Sequence, residues 1–307
     1  MVRARLFALL SIVATSFGVT GCEERPRPVV ASAPSCPNAI ESDKQVVIVG
    51  TIGKLHMAES KYPLSKLGDV MSSFKPDLVL LAVRVDPFRE GNYEDASFEM
   101  TYLAALAKNR AIPTEAIDWF REQDVMGAPP PVEPPDAAED AKRGAEILGR
   151  PKLYTFEQAN GTELSEAIYL AQLSQQRYRG GNAPASRRTG WMQHLAIDAV
   201  ARHKKPRKVL AFVDVFDRPT VALALGSLGY ESRDPIGVVK QASEVMVNEL
   251  PPEVLSQYKN QLGRVRDRAE KAKGPEKAFW QEREKTLEVV VDKRAACCVP
   301  TSSLGIK

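Results

Sequence analysis

Polar chemistry in this chain is concentrated in a few short stretches: His56 and Glu59 in GKLHMAE, Arg84 and Asp86 after LVLLAV, Asp118 after EAI, Arg188 in RRTGW, and Asp214 and Asp217 in DVFDRP. An imidazole with two or more carboxylates can ligate a divalent cation or exchange protons. An arginine beside them holds an anion or the negative charge of a transition state. Candidates for catalysis are His56, Arg84, Asp118 and Arg188, and candidates for metal ligation are His56, Glu59, Asp214 and Asp217. Each has a plain structural alternative. His56 can be a surface or supporting residue, and Asp214 or Asp217 can cap the helix that starts near Pro219. Arg84 can pair with Asp118, and Arg187 or Arg188 with the acidic stretches. Trp191 and Met192 read as helix-packing residues, and His194 and His203 as solvent-facing or dipole-compensating. There is no GxSxG, HExxH or Walker pattern, so three common enzyme classes lose support.

The elements that must position these groups alternate. Gln45–Val49 (QVVIV) and Asp77–Val83 (DLVLLAV) are continuous apolar runs that read as strands buried on both faces. Between them Leu64, Leu67, Val70, Met71 and Phe74 recur at helical spacing, giving the strand, helix, strand order of a parallel sheet. Phe98–Lys108 predicts a helix leading into a strand at Ile112–Ile117, whose Pro113 suits an edge or a strand start. Five prolines in Gly127–Asp136 predict an exposed loop. Helical patterns follow at Ala138–Leu148, Leu164–Arg177 and Trp191–His203, then a strand at Lys208–Val213, a helix through Val221–Leu228 and a short strand at Tyr230–Arg233. Beyond Pro251 two charged helices, Val254–Ala272 and Glu276–Val291, are predicted to clasp the domain. The fold class is therefore α/β, a central mostly parallel sheet flanked by helices, with a charged helical C-terminal region. In such sheets ligands bind beyond the carboxyl ends of the strands, so the residues just after each strand should converge on one rim.

Upstream of the domain the chain carries an address. Arg3 and Arg5 precede an apolar run, Leu6–Val19, that is too short to span a bilayer. Val19-Thr20-Gly21-Cys22 resembles the lipobox at which bacteria attach a lipid to the cysteine thiol and cleave just before it. The expected product is a lipoprotein of the bacterial cell envelope, membrane-anchored through lipid on Cys22 and facing the periplasm, with residues 22–43 as a tether, one domain over 44–291 and a tail over 292–307. Removing residues 1–21 takes away two arginines and no acids, so 42 basic against 39 acidic residues become 40 against 39. That near-neutrality argues against nucleic acid as a partner. Membrane contact is expected from the lipid, with a protein or small molecule as the further ligand. Cys36, Cys297 and Cys298 fit no zinc spacing, and adjacent cysteines are too close for an unstrained bond to each other.

The stretches VVIVGTIGKLH, FKPDLVLLAVR, AKNRAIPTEAID, and RTGWMQHLAIDAV followed by KPRKVLAFVDVFDRPTVALALGSLGYE resemble, in order and spacing, the TraB/GumN/Tiki group, within the superfamily that includes ChaN-like haem-binding lipoproteins and erythromycin esterase-like enzymes. The resemblance implies an α/β domain with a hydrolase-type, metal-assisted site, or a haem site. That family carries two GxxH motifs and a glutamate ending the second strand. Here Gly53 stands where the first histidine belongs, His56 survives through a shifted GKLH, the glutamate position is Ala82 or Val83, and the second motif has become DVFD. A carboxylate in place of imidazole can keep a hard cation but not a site tuned for nitrogen. The resemblance with these departures implies a degenerate site that binds or scaffolds without turnover. Its alternatives are an active metal-assisted hydrolase of peptidase or esterase type and a haem-binding lipoprotein.

Overall fold

The computed structural model describes residues 43–121, 154–179, 184–239 and 250–294. The lipobox with Cys22, the tether, the Gly127–Asp136 loop, the Ala138–Leu148 helix and Cys36, Cys297 and Cys298 lie outside the described residues.

Five strands form one sheet: β1 (Gln45–Thr51), β2 (Leu78–Arg84), β3 (Thr114–Asp118), β4 (Lys208–Asp214) and β5 (Glu231–Arg233). Their order is β3-β2-β4-β1-β5, and every pair is parallel, so the sheet is wholly rather than mostly parallel. Val46–Val49, Leu78–Val83 and Val209–Val213 are buried, as expected of strands covered on both faces. The Pro113 signal holds: β3 is an edge strand, and the proline just before it contributes its carbonyl to Val79 N.

Helices follow the strands. α1 (Leu64–Phe74) turns Leu64, Leu67, Val70, Met71 and Phe74 inward and ends at Lys75, whose left-handed backbone (φ 52°) precedes Pro76. The short α2 (Val85–Arg89) leads to α3 (Phe98–Asn109), which is buried along most of its length. After β3 come α4 (Phe156–Asn160), α5 (Thr162–Arg179) and α6 (Pro184–Arg202). α7 (Arg218–Gly226) follows β4, and α8 (Pro235–Val238) follows β5. α9 (Pro252–Lys271) and α10 (Gly274–Lys293) form a hairpin.

The hairpin's outer faces are charged, but Val254, Tyr258, Leu262, Val265, Trp280, Leu287 and Val290 are buried. The Tyr258 hydroxyl donates to Phe98 O (2.7 Å) and the Thr101 hydroxyl to Gln261 Oε1 (3.1 Å), so the hairpin is fastened to α3 by buried polar contacts as well as by apolar packing. Its last helix runs to Lys293, two residues into the segment expected to be tail. No helix among the described residues is long and apolar enough to cross a membrane.

Candidate functional site at the carboxyl rim of the sheet

Thr51, Arg84, Asp118 and Asp214 are the last residues of β1, β2, β3 and β4. Register places Thr51 opposite Asp214 and Arg84 opposite Asp118, so the rim expected from parallel topology exists. Its polar centre is Arg188, delivered by α6. Arg188 Nη1 and Nη2 donate to the two carboxylate oxygens of Asp217 (2.9 and 2.8 Å), and Nη2 also reaches Asp118 Oδ2 (2.8 Å). Asp118 Oδ1 accepts from Trp119 N (2.7 Å). Both carboxylates are nearly buried, and the two-pronged geometry is the strong form of a guanidinium–carboxylate pair. Burial opposes the Arg188 charge, but the two carboxylates outweigh it and hold the guanidinium protonated beyond the ordinary arginine range.

Several expectations are corrected here. Asp118 is taken by Arg188, while Arg84 pairs with Asp95 (2.5 Å) and lies over the Phe120 ring at 5.0 Å. Asp217 makes no capping bond at the start of α7. Asp214 does the local capping by accepting from Phe216 N (2.9 Å). Burial, with the charges of Asp217 and Asp118 adding to it and Phe216 N–H and Arg188 opposing, lifts the Asp214 carboxyl to about 6. Of the two expected helix-packing residues Met192 is fully buried, whereas Trp191 is 44% exposed and lies against the Trp119 ring at 5.4 Å, with His194 edge-on at 5.8 Å. His203 is bound to Glu115 (2.8 Å), which also receives Arg202 (2.9 Å).

His56 is removed from the rim's chemistry by its surroundings. It is wholly buried, its Nε2 accepts from Ile52 N (3.2 Å), and its Nδ1 donates to Tyr62 O (2.8 Å). Burial, only partly offset by that bond to Tyr62, lowers its pKa to about 4, so it stays neutral. No lone pair is left for a cation. The Tyr62 ring stands edge-on to the imidazole at 4.4 Å, and its hydroxyl donates to Gly50 O (2.6 Å). Gly50 N in turn donates to Asn160 Oδ1 (2.9 Å), and the Arg218 side chain runs alongside to Ile48 O, Ala159 O, Asn160 O and Ser165 Oγ. A Cβ at Gly50 would stand 2.6 Å from Arg218 Cδ, so this close passage requires glycine. Gly53 adopts φ +58°, a left-handed backbone that disfavours a branched or bulky side chain. Glu59 accepts from Lys61 N (2.8 Å), a local turn contact on the surface. Among the described residues no three His, Cys, Asp or Glu side chains converge as metal ligands, so the set His56, Glu59, Asp214 and Asp217 does not fit a divalent ion.

Beneath the hairpin lies a group that the sequence reading missed. Glu99, in the first turn of α3, is fully buried, and neither carboxyl oxygen has a hydrogen-bond partner. The Thr51 hydroxyl beside it gives its proton to Val213 O (3.2 Å). Burial raises the Glu99 carboxyl to about 7, with the Asp214 charge adding to that and Thr51 and Arg283 opposing. On α10, Arg283 Nε donates to Glu94 O (2.6 Å), while its Nη2 is buried without a partner. Glu94 itself pairs with Arg264. A sequence signal did exist: Glu99 is the lone charged residue between Phe98 and Ala107 on a mainly apolar helix.

Comparison of the chain with protein-family models, curated proteins and solved structures finds no match.

Proposed function

We propose that the chain is a lipid-anchored protein of the bacterial envelope whose α/β domain binds or scaffolds a protein or small molecule without chemical turnover. One observation supports this above others. The groups that would run hydrolysis are spent on internal bonds: Asp118 and Asp217 on Arg188, and both nitrogens of His56 on backbone. A site poised for acid–base or metal chemistry keeps such groups aimed at substrate. The test uses the full-length chain in detergent, offered peptide and ester substrates with and without divalent cations. The expected result is no turnover above buffer. Metal-dependent hydrolysis lost on Asp214→Asn overturns the reading in favour of the hydrolase. For the address, Cys22→Ser is expected to leave the thermal unfolding midpoint unchanged and move the protein from the membrane to the soluble fraction. Retention on the membrane overturns the lipid anchor.

Haem binding is a second reading, favoured by exposed His194 beside the half-exposed indole of Trp191. An axial histidine next to an apolar surface is the arrangement haem requires. Titration with haemin decides it: a Soret shift lost on His194→Ala supports haem, and an unshifted band removes it.

A further inference from the structure

The unpartnered groups around Glu99 and Arg283 lie beside an opening to solvent. Between the start of α3 and α10 there is a cleft of about 300 Å³, lined by Ser97, Phe98, Phe279, Arg283 and Thr286, with the Lys54–Glu282 ion pair on its exposed side. That volume is at the lower end of small-ligand sites. Phe98 and Phe279 make its walls largely apolar, and Arg283 is the cation set among them. A buried guanidinium nitrogen without a hydrogen-bond acceptor is costly, and native structures rarely leave one so unless something else satisfies it. We propose that this cleft binds a small organic monoanion, a carboxylate on an apolar or aromatic body, with the Arg283 guanidinium taking its charge.

The surrounding charges select the class. Arg283 is faced by Glu94 and Asp95 from the loop before α3, by Glu99 of α3 and by Tyr258 of α9. Glu94 pairs with Arg264, and Asp95 gives one oxygen to Arg84 while its Oδ1 stays without a partner, so Asp95 and Glu99 are the internal counter-charges to Arg283. With Glu94, Asp95 and Glu99 already acting on Arg283 from behind the cleft, the second charge of a dianion such as phosphate would be repelled, whereas a monoanion needs only the guanidinium. The groups facing Glu99 are Thr51 at the end of β1, Asp214 at the end of β4, Tyr62, Tyr258 of α9 and Arg283 of α10. Protonated, Glu99 leaves the guanidinium free for a ligand. Ionised, it competes for the same cation, so ligand binding draws a proton onto Glu99. None of the cleft's lining residues belongs to the Arg188 clamp, so the proposal stands whether or not the rim turns anything over.

Isothermal titration of the full-length protein with benzoate tests the site. Saturable binding is expected near pH 6, weakening by roughly tenfold toward pH 8 as Glu99 ionises. Arg283→Gln is expected to weaken benzoate at least about tenfold, the loss of one charge-assisted contact. Because Arg283 also holds the Glu94 carbonyl, Phe279→Ala on the half-buried wall provides a second variant, expected to lose about threefold or more with the circular dichroism spectrum unchanged. Glu99→Gln is expected to keep binding and flatten its pH dependence. The proposal is overturned if wild-type protein shows no saturable benzoate binding at millimolar concentration, if Arg283→Gln or a folded Phe279→Ala binds like wild type, or if Glu99→Gln keeps the wild-type pH slope. Inorganic phosphate binding as tightly as benzoate overturns the monoanion class.

Discussion

His56 and Glu99 are both wholly buried polar side chains beside the carboxyl end of β1, yet their surroundings treat them in opposite ways. The imidazole has a partner at each nitrogen and belongs to a chain of bonds running through Tyr62, Gly50, Asn160 and Arg218. The carboxyl has no hydrogen-bond partner at either oxygen, and the nearest guanidinium, Arg283, also has an idle nitrogen. A satisfied buried polar group rigidifies the fold. An unsatisfied one costs free energy and persists where something else is gained. The difference separates architecture from candidate function more sharply than residue type does, since histidine is the more usual suspect in a site.

The largest effect that can break this contrast is at the rim clamp, which sides with His56 as architecture. Arg188→Leu leaves Asp118 and Asp217 buried without a counter-charge, and is expected to cost about 3–5 kcal/mol by chemical denaturation. A loss below about 1 kcal/mol would show that the clamp is dispensable, and the rim would return as a candidate for chemistry.

Next in size, His56→Ala is expected to cost about 2–4 kcal/mol, from a cavity and two backbone groups left without partners, while benzoate binding in the cleft stays at the wild-type level. Its pH signature has a definite sign. With the folded value depressed from 6.5 to about 4, the folded state holds fewer protons than the unfolded one across that window. Stability from this residue is full above about 6.5 and is lost as pH falls toward 4. The variant should abolish that acid sensitivity.

Glu99→Gln gives the smallest change and the opposite sign. The folded value is raised from 4.5 to about 7, so the folded state holds more protons, and this contribution to stability declines as pH rises through that interval. Glu99→Gln is expected to remove that decline, a difference of about 1–3 kcal/mol between acid and mildly alkaline solution, read from denaturation midpoints across pH. Between about pH 4.5 and 6.5 the two slopes oppose, so each single variant should expose the other's. Parallel slopes in both variants would erase the distinction between the two regions.

Much of the fold was legible along the chain. The runs at Val46, Leu78 and Val209 are strands because β-branched and apolar residues without polar alternation fit only a sheet covered on both faces, and the 3.6-residue period of Leu64 to Phe74 allowed only a helix packed on it. Parallel pairing then placed Thr51, Arg84, Asp118 and Asp214 at one edge, which strand direction alone requires. The partners at that edge were not legible. Arg188 and Asp118 are 70 positions apart, and Arg283 lies 189 positions beyond Glu94, distances over which no local pattern chooses one arginine among several. Trp191 read as a helix-packing residue, and only the tertiary structure shows it 44% exposed against the Trp119 ring.

The sequence by itself determined the class of fold, the direction of its strands and the rim where polar residues must gather, because these follow from local periodicity and from the chirality and pairing rules of parallel sheets. It also carries the lipobox-like stretch ending at Cys22, a signal read by residue type and order without any fold. What only the tertiary structure decided is which polar groups are spent and which are left over. That depends on the donors and acceptors that long-range packing brings within 3 Å or so of one another, and on how much water the covering helices exclude. His56 was thereby made a support for β1, and Glu99, an unremarked acid on an apolar helix, became the unsatisfied charge beneath the C-terminal hairpin.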